Sequence, residues 1–232
     1  METRALAHKV VVVTGAGGRL GRQLLQRFAQ EGARLAAVVH TAEQARQFQL
    51  PEGADGAVFH AELSDEAQVA ACFGKIWDRF GYVDVLVHAA GVWAERPFLE
   101  MTLEDWRALL DANLTSTFLC FREAARLMRG RPGGRLIAFA SMQGADRGRA
   151  RQAAYSVAKG GVVRLVEAIG SELVAQGITV HAIAPSVIRY EDARKEETGV
   201  TAAELAELCI YLCSPAGVAL NGMVLRAYGR GF

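Results

Sequence analysis

The 232-residue chain has almost no charge imbalance: 26 Lys and Arg against 25 Asp and Glu leave a formal net charge of +1. No field of one sign is available to hold nucleic acid or an anionic membrane surface. Cysteine is scarce, with four residues at 72, 120, 209 and 213, none in a CxxC and none beside a His at metal-ligand spacing. That excludes a disulfide framework, predicts no bound metal, and suits a reducing cytoplasm. Cys209 and Cys213 share a helical face and are expected in the core. No apolar run is long enough to span a bilayer, and Met1 to Lys9 lack the apolar centre of a secretory leader. Internal repeats and low-complexity tracts are absent. Lysine is rare too, supplying only four of the 26 basic residues.

What the chain does have is apolar content, 51% of its residues, enough for a sizeable core. Val10 to Val13 is a β-branched run, as expected of a strand buried on both faces. It leads into Thr14-Gly15-Ala16-Gly17-Gly18-Arg19-Leu20-Gly21, after which Leu20, Leu24 and Phe28 recur at helical spacing. Strand, glycine-rich turn and helix together are the context of a dinucleotide site. The glycines let the backbone approach a pyrophosphate, and the helix start supplies N–H donors. A second strand, Leu35 to Val39, ends in His40-Thr41 with no carboxylate to hold ribose hydroxyls. A 2′-phosphate would not be repelled there, and His40, Thr41 or Arg19 could contact it. NADP(H) is therefore favoured over NAD(H).

Strands are also expected at Ala57 to His60, Val83 to Val87, Leu136 to Ala140, Ile178 to Ala184 and Met223 to Ala227. Helices alternate with them. One opens at Ser64-Asp65 and carries Val69, Phe73, Ile76 and Phe80 inward. A long one starts at Thr102 and contains Asn113 among apolar neighbours. Another carries Tyr155 and Lys159, and the last opens at the capping box Thr201-x-x-Glu204. The stretch from Ser186 to Gly199 is polar and expected to be mobile. With no linker, the pattern predicts one α/β domain over 1–232: a doubly wound Rossmann fold, with a seven-stranded parallel sheet flanked by helices on both faces. Residues 186–200 form its short substrate-side loop.

Tyr155-Ser156-Val157-Ala158-Lys159 is the expected chemical centre. On a helix, Tyr155 and Lys159 project from one face about one turn apart. A nearby ammonium favours the phenolate and is expected to pull the phenol below its usual value of about 10. Such a tyrosine can pass a proton to or from a substrate oxygen. Lysine suits this task better than arginine, whose charge is diffuse.

Taken together, Thr14-Gly15 to Gly21, His88-Ala89-Ala90-Gly91, Asn113, Ser141, Tyr155-x-x-x-Lys159 and Ala184-Pro185 resemble the short-chain dehydrogenase/reductase family. The resemblance covers nearly the whole chain, and the 3-oxoacyl-carrier-protein reductases are among the shorter members it is similar to. It implies an oxidoreductase moving a hydride between NAD(P)(H) and a carbonyl or alcohol. Tyr155 would be the acid or base, Lys159 would hold the nicotinamide ribose, Ser141 would bind the substrate oxygen, and Asn113 would position a relay water. It places cofactor contacts on Gly15, Gly17, Gly18, Arg19, Leu20 and Gly21, and on His40, Thr41, Glu62 and Leu63. It adds Ala89, Ala90, Gly91, Tyr155, Lys159, Pro185, Val187 and Ile188. It also implies pairing of the two long helices in a homodimer or homotetramer.

Several positions depart from the family pattern. Arg19 stands at its middle glycine and His88 at its first Asn. Glu62 replaces an Asp that faces the adenine, Ser186 follows Pro185 in place of Gly, and Tyr190 lies near a usual Thr. Arg122, Arg126, Arg129 and Arg131 form a basic patch that could meet an acidic acyl-carrier protein, or could simply be a solvated helix end. A catalytically idle cofactor-binding partner or sensor of the same fold is the alternative to an enzyme.

Overall fold

The computed structural model of the chain describes residues 5–190 and 198–230. Its elements run β1 (Val10–Thr14), α1 (Arg19–Gln30), β2 (Arg34–Val39), α2 (Ala42–Gln47), β3 (Gly56–His60), α3 (Glu66–Phe80) and β4 (Val85–His88). Next come α4 (Leu103–Leu110), a π-turn (Asp111–Thr115), α5 (Ser116–Met128), β5 (Gly134–Phe139), α6 (Met142–Ala145) and α7 (Ala153–Leu173). The chain closes with β6 (Ile178–Pro185), β7 (Ile188–Arg189), β8 (Val200–Thr201), α8 (Ala202–Cys213) and β9 (Val224–Ala227).

Seven strands form one sheet in the order β3-β2-β1-β4-β5-β6-β9, and every pairing in it is parallel. The chain winds outward from β1 to β3, returns to β4 on the other side of β1, and winds away again. That reversal leaves a crevice at the carboxyl ends of β1 and β4, where ligands bind in such sheets. The β-branched runs are central because both sheet faces are covered. Val11, Val13, Leu24, Phe28, Leu205 and Leu212 pack on one face. Val10, Val12, Phe73, Ile76, Phe121 and Val166 pack on the other. Each such side chain removed from water contributes roughly 1.5–3 kcal/mol.

The start of α3 is capped by Asp65, whose carboxylate accepts from the Gln68 N–H, and α8 opens with the Thr201–Glu204 capping box. Cys209 is buried, as expected, whereas Cys213 is partly exposed.

The structure differs from the sequence reading in three places. The long helix from Thr102 is not continuous: a π-turn separates α4 from α5 at the position of Asn113. The loop after Ser141 contains the four-residue α6, which packs against α7. The segment after Pro185 is partly ordered by a two-strand ladder, Ile188–Arg189 beside Val200–Thr201. Mobility is expected of 186–199; seven of those fourteen residues, 191–197, lie outside the described residues. Among the described residues no helix is long and apolar enough to cross a membrane.

Candidate active site

The crevice at the β1/β4 carboxyl ends is a groove of about 540 Å³ lined by Gly15, Gly17 and Gly18, by His40, Glu62 and Leu63, and by Ala89, Ala90 and Gly91. It is a cradle that only glycine allows. Gly15 has φ +68°, and a Cβ there would lie 2.7 Å from the Ala90 nitrogen. Gly21 packs on the turn itself, where a Cβ would lie 2.2 Å from the Gly15 oxygen. Leu20 is buried in the core under α1. These features fit the pyrophosphate of a dinucleotide held at the start of α1.

At the end of the groove beyond β2 and β3, His40 Nε2 lies 3.2 Å from a Glu62 carboxylate oxygen. Glu62 also accepts from the Ser64 N–H and hydroxyl, and these bonds hold its carboxyl below the usual range. Thr41 is already used as the cap of α2, its hydroxyl accepting from the Gln44 N–H. Arg19 points elsewhere: its guanidinium stacks 3.9 Å from the centre of the Tyr190 ring, beyond β6.

The reacting end is built by β5, the π-turn and α7. Ser141 follows β5, is buried, and its Oγ accepts from the Gly144 N–H at 3.2 Å. The Tyr155 phenol lies beside this hydroxyl, which lowers its pKa in opposition to burial. Lys159 is buried, and its Nζ donates to the Phe139 carbonyl at 2.8 Å. It lies 6.0 Å from the Tyr155 ring centre. A Cβ on Gly91 would sit 2.6 Å from Asn113 Oδ1 and 3.3 Å from Lys159 Nζ, so the groove wall and both polar groups meet at one point.

Electrostatics here correct one expectation. Burial raises the Tyr155 phenol above its ordinary value, with Ser141 pulling the other way. Lys159 is not among the causes of that shift; its Nζ donates to the Phe139 carbonyl and lies 6.0 Å from the ring centre. Burial pushes Lys159 itself down to about 8. The Tyr155 phenol thus carries its proton at neutral pH.

Asn113 owes its position to the π-turn. Its Nδ2 donates to the Leu109 carbonyl four residues back, an oxygen that a regular α-turn gives to a backbone N–H. The second Nδ2 hydrogen goes to the Val92 carbonyl at 2.9 Å, and Oδ1 accepts from the Val92 N–H at 3.3 Å. The side chain therefore ties the π-turn to the chain just beyond Gly91.

A model of the short chain dehydrogenase family matches residues 9–199. The chain belongs to that family. A 3-oxoacyl-[acyl-carrier-protein] reductase of Synechocystis is 33% identical over 190 residues, covering 79% of this chain and 76% of the relative. A D-threitol dehydrogenase of Mycolicibacterium smegmatis is 33% identical over 232 residues, covering 92% and 89%. A short-chain dehydrogenase/reductase from Serratia marcescens superposes with a TM-score of 0.86 at 26% identity, covering 96% of this chain and 97% of that one. The protein is an NAD(P)-dependent oxidoreductase of the short-chain dehydrogenase family.

Within that family frame, Asn113, Ser141, Tyr155 and Lys159 are brought together, as are the glycine turn and Ala89 to Gly91. Pro185 is the buried end of β6, Ile188 is in β7, and Val187 is exposed. Arg19 and Thr41 are the two expected contacts turned to other partners.

Sequence reasoning missed the work of His88. It is buried between Thr14 Oγ1 at 2.8 Å and Ser116 Oγ at 3.2 Å. The Ser116 hydroxyl donates to the Ala112 carbonyl, so it accepts from His88 Nε2–H. Nδ1 then accepts from Thr14. Burial, reinforced by Lys159, holds the ring neutral with its pKa down at about 3. His88 thus fastens β1 to the start of α5. The only sequence signal was a lone His closing a buried strand.

Proposed function

We propose that the chain is an NADP(H)-dependent carbonyl reductase or alcohol dehydrogenase acting on a small-molecule substrate. The observation that carries this is the meeting of buried Lys159 and Asn113 at the Gly91 wall of the glycine groove, with Tyr155 beside Lys159 and Ser141. The bound cofactor supplies or accepts the hydride. Tyr155 Oη donates the proton that the substrate oxygen takes up, and Ser141 Oγ orients that oxygen. Lys159 keeps a positive charge near the developing alkoxide. Asn113 holds the Gly91–Val92 wall in register and offers Oδ1 to a relay water. In alcohol oxidation the same proton runs the other way.

Trp93 and Phe98, in the segment that leaves the groove at Val92, are exposed. Their segment is laced to the start of α7 by Gln152 Nε2 donating to Glu95 at 2.7 Å and Arg96 N–H donating to the Arg151 carbonyl. An apolar portion of the substrate would rest there. The basic patch gives a carrier protein less support. Arg122 pairs with Glu66 and Glu123, Arg126 pairs with Glu123, and Arg131 stacks on Tyr82. Oxoacyl thioesters, free and carrier-bound, still belong in the substrate panel. The four polar side chains at one point favour an active enzyme over an idle partner. The free thiols suit the cytoplasm.

NADP(H) is favoured over NAD(H) because β2 ends without a carboxylate and presents His40, steadied by Glu62, to the groove. The kcat/KM for NADPH is expected to exceed that for NADH by roughly tenfold or more, the size of one charge-assisted hydrogen bond. His40→Ala should erase most of the difference. Equal values for the two cofactors in the wild type would remove the phosphate reading.

Assembly follows from α5 and α7. A groove of about 420 Å³ between them exposes Phe118 and is lined by Phe121, Leu165 and Ile169. A dimer or tetramer is expected at micromolar concentration by light scattering, and a monomer would refute it.

A further inference from the structure

Between Ser141 and Tyr155 the chain carries Arg147-Gly148-Arg149-Ala150-Arg151, and every residue of this loop is exposed. The loop is held against the reacting end. A Cβ on Gly148 would lie 3.6 Å from the Cβ and Oγ of Ser156, the residue after Tyr155. The Arg151 carbonyl accepts from the Arg96 N–H at 2.8 Å, which ties the loop to the segment leaving the groove at Val92. Arg151 has φ +66°, a left-handed backbone uncommon for so large a side chain. Among the described residues, the guanidinium groups of Arg149 and Arg151 have no hydrogen-bond, ion-pair or ring partner. The neighbouring acids have partners of their own. Asp146 accepts from Arg226 Nε and the Tyr228 hydroxyl, Glu95 accepts from Gln152, and Asp105 pairs with Arg96. The first turn of α7 contains no acidic residue. Positive charge on this rim of the site is left unmatched.

We propose that Arg149 and Arg151 bind an anionic group of the carbonyl substrate, a carboxylate or a phosphate, and so select substrates that carry one. The proposal rests on the reading of Tyr155 as proton donor to the substrate oxygen. Arg151 stands four residues before Tyr155, and Gly148 packs beside the residue after it. An anion on the loop and a carbonyl at Tyr155 can therefore belong to one small molecule. A guanidinium takes an oxyanion through two parallel hydrogen bonds, which fix its orientation as well as its position. Holding the far end of the substrate in this way places its carbonyl. Because both arginines are exposed, added salt should screen the attraction.

The test compares NADPH-dependent kcat/KM within sets of substrates matched in shape and differing in charge. Two sets pair an oxo acid with its amide: 4-acetylbenzoate with 4-acetylbenzamide, and 5-oxohexanoate with 5-oxohexanamide. A third pairs acetoacetyl-coenzyme A with the acetoacetyl thioester of N-acetylcysteamine, which lacks the phosphates. The enzymes are the wild type, Arg149→Gln and Arg151→Gly. Glycine adopts φ +66° without strain, so Arg151→Gly removes the guanidinium and keeps the backbone. The wild type is expected to favour the charged member of at least one set by roughly tenfold, and the ratio should shrink in about 1 M salt. Each substitution should lower that ratio by roughly fivefold, mainly through the KM of the charged member. A preference for acid over amide assigns the anion to the substrate itself, and one confined to the coenzyme A thioester assigns it to the carrier; either supports the proposal. Equal turnover of charged and neutral members in every set would overturn it alone. So would a preference that survives both substitutions, or a loss equal for both members. A wild type that reduces none of these compounds, nor any in a broad carbonyl panel, would overturn the reading of Tyr155 as well.

Discussion

Tyr155→Phe is expected to lower kcat by a factor of roughly 10² to 10⁴, the usual contribution of a positioned general acid, while NADPH affinity stays within about twofold. The ring remains, so the packing of α7 against the groove is kept. What disappears is one hydroxyl, the one that Ser141 acts on. Burial raises that hydroxyl's pKa, so at neutral pH it carries its proton, the state needed to reduce a carbonyl. Lys159 remains within 6.0 Å of the ring centre, but its ammonium is directed at the Phe139 carbonyl, and it has no path to replace the phenol as donor. Stopped-flow reduction with saturating NADPH measures the step. A kcat within tenfold of the wild type would mean that another group protonates the product.

Gly91→Ala should be nearly as damaging although it removes no polar group. The new methyl would sit 2.6 Å from Asn113 Oδ1 and 3.3 Å from Lys159 Nζ. Neither neighbour can yield cheaply. Asn113 is held by both Nδ2 hydrogens, to Val92 and Leu109, and Lys159 by the Phe139 carbonyl. Forcing a methyl into such a site costs about 1–3 kcal/mol, and displacing reactive groups by an ångström can cost about a hundredfold in rate. We expect a loss of roughly a hundredfold in kcat/KM, with the fold retained by circular dichroism. Gly74→Ala is the matched control, because a Cβ there on α3 meets nothing within 4 Å. It should leave activity unchanged and, if anything, raise the melting temperature. Full activity in Gly91→Ala would show that the contact at Gly91 does not position the site.

The parts of this fold that could be read from the sequence are those governed by burial and local chemistry. Val10 to Val13 has to be a doubly covered strand, and Thr201 with Glu204 has to start a helix, whatever surrounds them. The alternation of such segments fixed the parallel sheet and brought Ser141 and the Tyr155 helix to its carboxyl edge. What escaped depends on partners distant in the chain. The π-turn at Asn113 breaks the 3.6-residue phase for a gain visible only once Val92 is beside it. Four residues are too few for α6 to show a periodic signal, and β7 and β8 are two-residue strands that exist only as a pair. The direction of the Tyr155 shift escaped because a four-residue spacing makes Lys159 a neighbour without saying how deeply the phenol is buried, and burial is the larger effect.

The most direct test of hydride transfer through this site is isotopic. The wild-type protein would be incubated with NADPH bearing deuterium at the transferable C4 position and a panel of ketones, aldehydes and oxoacyl thioesters. Mass spectrometry then reads the alcohol formed. The account predicts one deuterium on the carbinol carbon, matched by an equal amount of NADP⁺. Across that panel, no deuterated alcohol, or deuterium appearing only when it is supplied by the solvent, would contradict it.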